Sequence, residues 1–266
     1  VYNRDKFYFK TDPFVIDSAD YLLGSSIKFD GNFVSNIFPD SRETLVLQPD
    51  YSLGFTKETT AEGLPMYGGK ATFNNKIRLS NNGLEGDGEI RYLSSITKSD
   101  KIIFFPDSTL AEADSFSIEK KTIGTVAYPE VKATDVLVDF EPRKDYMDIK
   151  KKDKDFTLYE QQVALDGNLR LTPKGLGGYG TAAFFDAQLV SNDFRFQQST
   201  FGADTAEFRL RSDDSTVYAI NAKNFNSTID LLNKTGSFKS NAGKSKIDFP
   251  VNQYMTFIEQ FKWFIL

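Results

Sequence analysis

Residues 79–88 read LSNNGLEGDG, and residues 171–180 read LTPKGLGGYG. The two stretches share their leucines and three glycines at an offset of 92 residues. The match continues without a gap to residues 118 and 210, which aligns Phe104 with Phe196 and Phe116 with Phe208. It indicates an internal repeat. Repeated β units that bury their apolar faces on one another predict an elongated, stacked architecture.

Around the repeat, apolar residues alternate with polar ones, which is typical of strands that lay one face on a core. Turn residues at 81–83, 173–175 and 241–243 separate these runs. The alternating positions include Val163, Leu165, Leu169 and Leu171, and further along Ala206, Phe208 and Leu210. We therefore predict an all-β chain, either an elongated β-solenoid or a stacked β-sandwich built from repeated β units. Two separate β-sandwich domains are the alternative.

The repeat divides the chain into an N-terminal β segment at 1–68, a first repeat unit at 69–160 and a second at 161–251. A short helix is predicted for 252–266, because apolar residues there fall at helical spacing. They are Tyr254, Phe257, Ile258, Phe261 and Ile265. Trp263 and Phe264 lie off this stripe. We therefore expect the helix to continue into the rest of a longer precursor or to dock on another envelope protein, and both chain ends look cut from such a precursor.

Composition excludes several kinds of function. The chain of 266 residues has a net charge of −5 and contains neither cysteine nor histidine. The acidic balance disfavours nucleic-acid binding. The usual nucleophile–histidine constellations and zinc-thiolate sites are impossible, so we expect no catalytic site and no cofactor. No apolar run reaches the ~20 residues of a membrane-spanning helix, and residues 1–30 do not show the pattern expected of a signal peptide. The basic run at 150–154 is interpreted as a solvated loop.

The shared glycines do not predict a nucleotide site, because their spacing differs from that of phosphate-binding loops and no helix pattern follows. They are Gly83, Gly86 and Gly88, repeated as Gly175, Gly178 and Gly180. We interpret them as structural glycines that supply positive φ or a close approach between strands. Glu85, Asp87 and Glu89 could form a calcium site, but the aligned residues are Gly177, Tyr179 and Thr181. No metal site is therefore predicted.

These exclusions favour a non-catalytic structural or scaffold segment. A carbohydrate-binding module or a carboxylate-based glycan-active enzyme is the alternative, since a pair of carboxylates on a β scaffold can hydrolyse glycans without histidine. Tyr92, Tyr179 and Tyr218 are the aromatic candidates for stacking on sugars. A lipid-carrying groove between two sheets is a third hypothesis.

Several stretches together resemble a family of very large secreted cell-envelope β proteins of Bacteroidota, the phylum of Bacteroides and Flavobacterium. They are residues 48–55, 67–70, 79–88, 105–108, 236–241 and 249–254, the last leading to 261–263. The resemblance implies a segment of a long envelope protein, in the periplasm, at the outer membrane or secreted. It implies no catalytic residues, because the family has no assigned chemistry.

The resemblance also implies a modification. Secreted proteins of that phylum are often O-glycosylated on Asp-Ser or Asp-Thr followed by a small or aliphatic residue. Ser18 and Thr205 match this motif, and Ser108 and Ser215 match a looser form. These four residues are the predicted O-glycosylation sites.

Overall fold

A computed structural model describes residues 7–15, 27–212 and 217–265. These residues form strands joined by turns, all the strand pairings described below are antiparallel, and the described part of the chain contains no α-helix. A short 3-10 turn lies at Tyr67–Gly69. The prediction of an all-β chain is confirmed. The strands are β1 Tyr8–Thr11, β2 Lys28–Val34, β3 Ser41–Leu47, β4 Leu53–Glu58, β5 Leu64–Met66, β6 Ala71–Ser80, β7 Gly83–Tyr92, β8 Ser95–Phe104, β9 Thr109–Ile118, β10 Lys121–Ile123, β11 Val126–Tyr128, β12 Val131–Glu141, β13 Tyr146–Lys151, β14 Phe156–Leu158, β15 Val163–Thr172, β16 Gly175–Phe184, β17 Ala187–Phe196, β18 Thr200–Arg211, β19 Tyr218–Asp230, β20 Thr235–Ser240, β21 Ser245–Phe249, β22 Tyr254–Ile258 and β23 Gln260–Phe264.

The chain divides into two compact units. The first contains the residues up to Ser115 together with Leu137–Asp145, and the second contains Phe116–Val136 together with the residues from Tyr146 onward.

In the first unit, strands β1 to β4 pair in chain order, and β4 and β5 both pair with β6. Strand β6 then pairs with β7, and β7 with β8. We call β6–β9 the first meander. Its core is aromatic: the ring of Phe104 lies 5.2 Å from that of Phe73 and 5.1 Å from that of Phe38, in edge-to-face arrangements that aromatic pairs prefer.

In the second unit, β13 and β14 both pair with β15, and β15 to β18 form a second meander. Strand β19 follows β18 and pairs in turn with β20 and β21. The alternation read from the sequence places side chains as expected, since Val163, Leu165, Leu169 and Leu171 are all buried. Strands β10 and β11 form a separate two-stranded hairpin.

The two meanders correspond strand for strand at the 92-residue offset. Strands β6, β7 and β8 begin and end 92 residues before β15, β16 and β17. A register shift occurs between Gly86 and Gly88 and again between Gly178 and Gly180. Both members of each aligned phenylalanine pair are buried, as predicted: Phe104 with Phe196, and Phe116 with Phe208.

The predicted C-terminal helix is wrong. Residues 254–258 and 260–264 form strands β22 and β23, which pair with β21 and β20. The same sequence also carries a period of two in Phe261, Trp263 and Ile265. The rings of Phe261 and Trp263 pack against aromatic rings of neighbouring strands. Phe261 stacks on Phe238, its partner across the strands, with ring centroids 4.4 Å apart.

The physical reason lies in what each structure satisfies. A short isolated helix is marginal in water, whereas aromatic residues favour pleated surfaces. Pairing with β20 satisfies backbone groups along the edge of that strand. It also places the Trp263 ring 5.3 Å from that of Phe208 and 5.9 Å from that of Phe184. These ring contacts follow from the pairing of β23 with β20, which a helix would not form.

Candidate functional site

A groove of about 1010 Å³ lies in the second unit, over the outward face of β16 and its neighbouring strands. Residues from β13, β15, β16 and β17 form its floor and walls, and the β10–β11 hairpin contributes Thr125, Val126 and Ala127. Strand β16 forms the centre of the floor with Gly175, Gly177 and Gly178. The groove is therefore floored largely by backbone.

The strand register explains why the floor is bare. Gly177 pairs with Arg170 on one side and with Arg195 on the other. Residues paired across strands share a face of the sheet, so two long cationic side chains stand on either side of a position that has no side chain. A Cβ at Gly177 would lie 3.3 Å from the carbonyl oxygen of Phe194 and contact nothing else closely.

Both arginines are held by carboxylates. Arg170 donates to Asp148 through Nε at 2.6 Å and Nη2 at 2.7 Å, the two-pronged geometry that fits a carboxylate best. The hydrogen bonds that Arg170 donates to Asp148 raise the pKa of Arg170 above its usual value. The guanidinium also lies 4.2 Å from the centre of the Tyr146 ring. Arg195 forms an ion pair with Asp204. A planar guanidinium group thus stands on each side of the bare strand, and that of Arg170 is the more firmly held.

Tyr179 is the exposed aromatic ring of the groove. Half of its surface is accessible, and its hydroxyl accepts a hydrogen bond of 2.6 Å from the side-chain amide of Asn168, its partner on β15. The hydrogen bond limits the rotamers that the ring can adopt. A fixed ring with an accessible face is suited to stacking.

The hairpin that borders the groove is fastened at two points. Tyr128 donates from its hydroxyl to the carbonyl oxygen of Thr172 at 2.8 Å, and burial raises the pKa of Tyr128. Gln198 donates from its amide to the hydroxyl oxygen of Thr122 at 2.9 Å. These bonds tie β10 and β11 to the turn after β17 and to the end of β15, so the wall that the hairpin provides is held in place.

The first meander has no equivalent groove floor. The aligned position of Gly177 is Glu85, which accepts from Arg78 through Nε at 3.1 Å and Nη2 at 2.6 Å. Arg78 aligns with Arg170. In the first meander the carboxylate that holds this arginine is that of Glu85 on the central strand, β7, and its side chain covers the backbone of that strand. In the second meander it comes from Asp148 on β13, which leaves the central strand bare.

Two lysines of the groove make no ion pair with any residue in the ranges that the structure describes. Lys150 lies on β13 beside Asn168, and Lys174 lies in the turn between β15 and β16. Sequence reasoning assigned Lys150 to a solvated loop. Its neighbours in the basic run are instead paired, Lys151 with Asp155 and Asp166, and Lys152 with Asp135.

The structural glycines lie where backbone geometry requires them. Gly83 and Gly175 follow the two-residue turns of matching hairpins and have positive φ. Gly88 and Gly180 lie at the register shifts, where an added Cβ would meet the carbonyl oxygens of Asn74 and Asp166, an aligned pair, at 2.0 and 2.2 Å. Gly86 and Gly178 face the rings of Phe104 and Phe196.

The other candidate residues are not among those that line the groove. Glu85 and Glu89 are paired with Arg78 and Arg91, and the described residues contain no group of three or more carboxylates placed to hold a metal ion. Tyr92, a candidate for sugar stacking, is buried against Phe140 with ring centroids 4.6 Å apart, so it is not a surface residue. The hydroxyl of Tyr218 donates to the side chain of Gln188.

Two of the four predicted O-glycosylation sites lie within the described residues. Thr205 is exposed on β18, and Ser108 is half-buried in the turn between β8 and β9. Ser18 and Ser215 lie outside the described residues.

The fold and the groove define an all-β protein with an open, glycine-floored polar groove. No family model matches the chain, and no curated protein or solved structure matches it either. Within residues 7–15, 27–212 and 217–265, no helix has the length and apolar character needed to cross a membrane.

Proposed function

We propose that this chain is a non-catalytic structural segment of a large bacterial cell-envelope protein. The observation that carries the proposal is what the two meanders share. Strand bounds, register shifts and buried phenylalanines match at the 92-residue offset, whereas most charged residues of the groove do not: Lys150, Lys174 and Arg195 align with Glu58, Asn82 and Ile103. Features that repeat as backbone geometry and core packing support a building unit, because catalysis depends on particular side chains.

The groove supports binding more than hydrolysis. Its carboxylates are Asp148, Asp193 and Asp204, and each already accepts from another side chain. Asp148 and Asp204 accept from the two arginines, and Asp193 accepts from Ser191 at 2.7 Å. A glycosidase requires one carboxyl group free to protonate the leaving oxygen. The charged lining also makes a lipid-carrying role the weaker hypothesis, since lipid tails would desolvate these groups without pairing them.

The elongated solenoid or stacked-sandwich arrangement belongs to the same proposal. A compact chain of 266 residues has a radius of gyration of about 18 Å. Small-angle X-ray scattering should give a clearly larger value if the β units are stacked along one direction. A value near that of a compact sphere would contradict this part of the proposal.

The C-terminal strands support docking to a neighbour, either more of the same precursor or another envelope protein. Tyr254, Met255, Phe257 and Phe264 on β22 and β23 are each more than half exposed. Several large exposed apolar side chains within one short segment support an interaction site there. Analytical ultracentrifugation should show that the segment self-associates or binds a longer piece of the same precursor. Phe257→Ser should weaken this association.

Deleting the segment tests the structural role in a Bacteroidota host that carries the full-length protein. We expect the full-length protein to be found in the envelope fraction. In-frame deletion of this segment should make the cells more sensitive to detergent. A matched variant with Asp148, Asp193 and Asp204 changed to Asn should keep normal resistance, since those carboxylates perform no reaction. A cytoplasmic location, or a defect in the Asn variant equal to that of the deletion, would contradict the proposal.

A further inference from the structure

We propose that the groove over β16 binds a linear acidic oligosaccharide, a glycan chain that carries carboxylate groups. The inference goes beyond the structural role, because it assigns a ligand class to one face of the second meander. It rests on the shape of the groove, on the chemistry of its lining and on the contrast with the first meander.

The shape admits an extended ligand. The groove holds about 1010 Å³ and is partly open to solvent. Glycine within a strand often marks a place where a ligand approaches the backbone closely. Gly177, between Arg170 and Arg195, lets a flat group lie on the strand itself with a planar guanidinium on each side.

The lining suits a ligand rich in hydroxyl groups. Carboxylates, guanidinium groups and amides supply acceptors and donors side by side, and the accessible Tyr179 ring supplies an apolar face for the C–H side of a sugar ring. A lipid would leave these polar groups unpaired. A glycan satisfies both kinds of hydrogen-bonding group.

The charges indicate an acidic glycan. Four cations and three carboxylates line the groove, and the two arginines are paired with Asp148 and Asp204. Lys150 and Lys174 are the cations that remain without an ion pair among the described residues. Lys150 lies beside Asn168 and Lys174 lies in the turn just after Thr172, so the two lysines are spaced along β15 and a chain with repeated carboxylates can reach both.

The first meander shows how this face looks when it is closed. Glu85 occupies the position of Gly177 and covers the central strand, and Asp87 and Ile103 stand where the second meander has Tyr179 and Arg195. The first meander therefore serves as an internal control. The change Gly177→Glu places the glutamate of the first meander at the equivalent position of the second. It should fill the groove, and we expect the fold to accept it because the matching strand of the first meander already carries glutamate there.

The test measures binding of a tetramer of galacturonate and of cellotetraose by isothermal titration calorimetry. We expect the wild-type chain to bind the acidic tetramer and to bind it more weakly as salt is raised. Gly177→Glu and Tyr179→Ala should each weaken binding at least about tenfold, the effect of losing a central contact. The double change of Lys150 and Lys174 to Gln should reduce the salt dependence.

The control is Glu85→Gly in the first meander, which should leave affinity unchanged. Melting temperature checks that each variant is folded, and Tyr179→Ala decides the matter if Gly177→Glu does not fold. Absence of binding to the acidic tetramer, equal binding of cellotetraose, or full affinity in Gly177→Glu or Tyr179→Ala would overturn the proposal.

Discussion

Tyr67 and Tyr159 occupy equivalent positions 92 residues apart, and each hydrogen-bonds through its hydroxyl to the carbonyl oxygen of an equivalent residue. The acceptors are Ser108 at 2.7 Å and Thr200 at 2.9 Å. Both tyrosines have left-handed backbone, with φ of 50° and 54°. In each unit the side chain thereby ties a left-handed turn to the hairpin that joins the last two strands of the meander.

Removal of either hydroxyl should destabilise the protein. Tyr159→Phe leaves the carbonyl oxygen of Thr200 without this donor in a part-buried site, which costs about 1–2 kcal/mol in the free energy of unfolding. Tyr67→Phe should cost a similar amount for the same reason. Urea unfolding followed by circular dichroism measures both changes. Tyr51→Phe removes an exposed hydroxyl and is the control; a loss as large there would contradict the argument.

Tyr159 should also contribute to loss of stability at alkaline pH. Burial raises the pKa of this tyrosine well above its ordinary value of 10.0. Its contribution is therefore complete below pH 10 and is lost as pH rises from there through the raised folded-state pKa. By pH 11 the loss is about 1 kcal/mol, because one pH unit corresponds to about 1.4 kcal/mol.

Comparison of wild type with Tyr159→Phe at pH 8 and pH 11 measures this contribution. The variant is less stable at pH 8, but the gap should narrow at pH 11. A gap that stays constant or widens with pH would show that ionisation of Tyr159 is not coupled to unfolding.

The turn after each tyrosine offers a pair of opposite substitutions. Gly68 and Gly69 have positive φ, and so do the aligned Glu160 and Gln161. Left-handed backbone destabilises the folded state by roughly 1–2 kcal/mol at a non-glycine residue. Replacing that residue with glycine relieves this strain, but glycine also makes the unfolded chain more flexible, which offsets about 0.4–1 kcal/mol of the gain. Gln161→Gly should therefore raise stability by about 0.5–1 kcal/mol, and Gly69→Gln should lower it by a similar amount.

Denaturant midpoints of the two variants test this directly. A Cβ at Gly69 would meet nothing within 4 Å, so a loss there reports backbone conformation alone. Destabilisation by Gln161→Gly would mean that the side chain of Gln161 makes a contact that outweighs the strain.

Glycine at the register shifts should tolerate no side chain. Gly180 has φ of 133°, and its Cβ would lie 2.2 Å from the carbonyl oxygen of Asp166. Gly180→Ala should therefore cost more than about 3 kcal/mol, since both the backbone conformation and the contact are unfavourable. Gly124→Ala is the matched control, because φ there is 60° with no atom within 4 Å, and it should cost about 1 kcal/mol. Equal losses in thermal unfolding would contradict a steric role for Gly180.

Neighbouring aromatic residues of β23 should differ in their effect on stability. Trp263 packs on Phe184 and Phe208, whereas Phe264 is 66% exposed. Trp263→Ala should lower the free energy of unfolding by about 2–3 kcal/mol, less than for a fully buried aromatic residue. Phe264→Ala should change it by less than about 0.5 kcal/mol. The opposite order in urea unfolding would mean that residues 260–264 do not form the strand that pairs with β20.

The C-terminal residues also show where sequence reasoning reached its limit. Apolar spacing there fits a helix through Phe257, Phe261 and Ile265 and fits a strand through Phe261, Trp263 and Ile265. Local pattern does not decide between the two, because the choice depends on whether a strand edge is available for pairing. Phe238 on β20 provides that edge and a ring to stack on.

The equivalence of Tyr67 and Tyr159 was missed for a related reason. The residues that follow them share no identity, Gly-Gly in one case and Glu-Gln in the other, although the backbone adopts the same left-handed turn. An alignment that begins at the conserved leucine of residue 79 does not reach them. Extending the 92-residue offset upstream would have found the shared tyrosine.

The sequence by itself determined the strands, the turns and the matched positions of the two meanders, because period two, turn residues and shared glycines act over short distances along the chain. Only the tertiary structure decided the groove. Gly177 reads as one glycine among several until strand register places Arg170 and Arg195 on either side of it and Asp148 supplies the carboxylate from β13. A binding surface of this kind is made by strands that are neighbours in space. The missing side chain at Gly177 can therefore be recognised as part of a groove only once the side chains on the neighbouring strands are placed beside it.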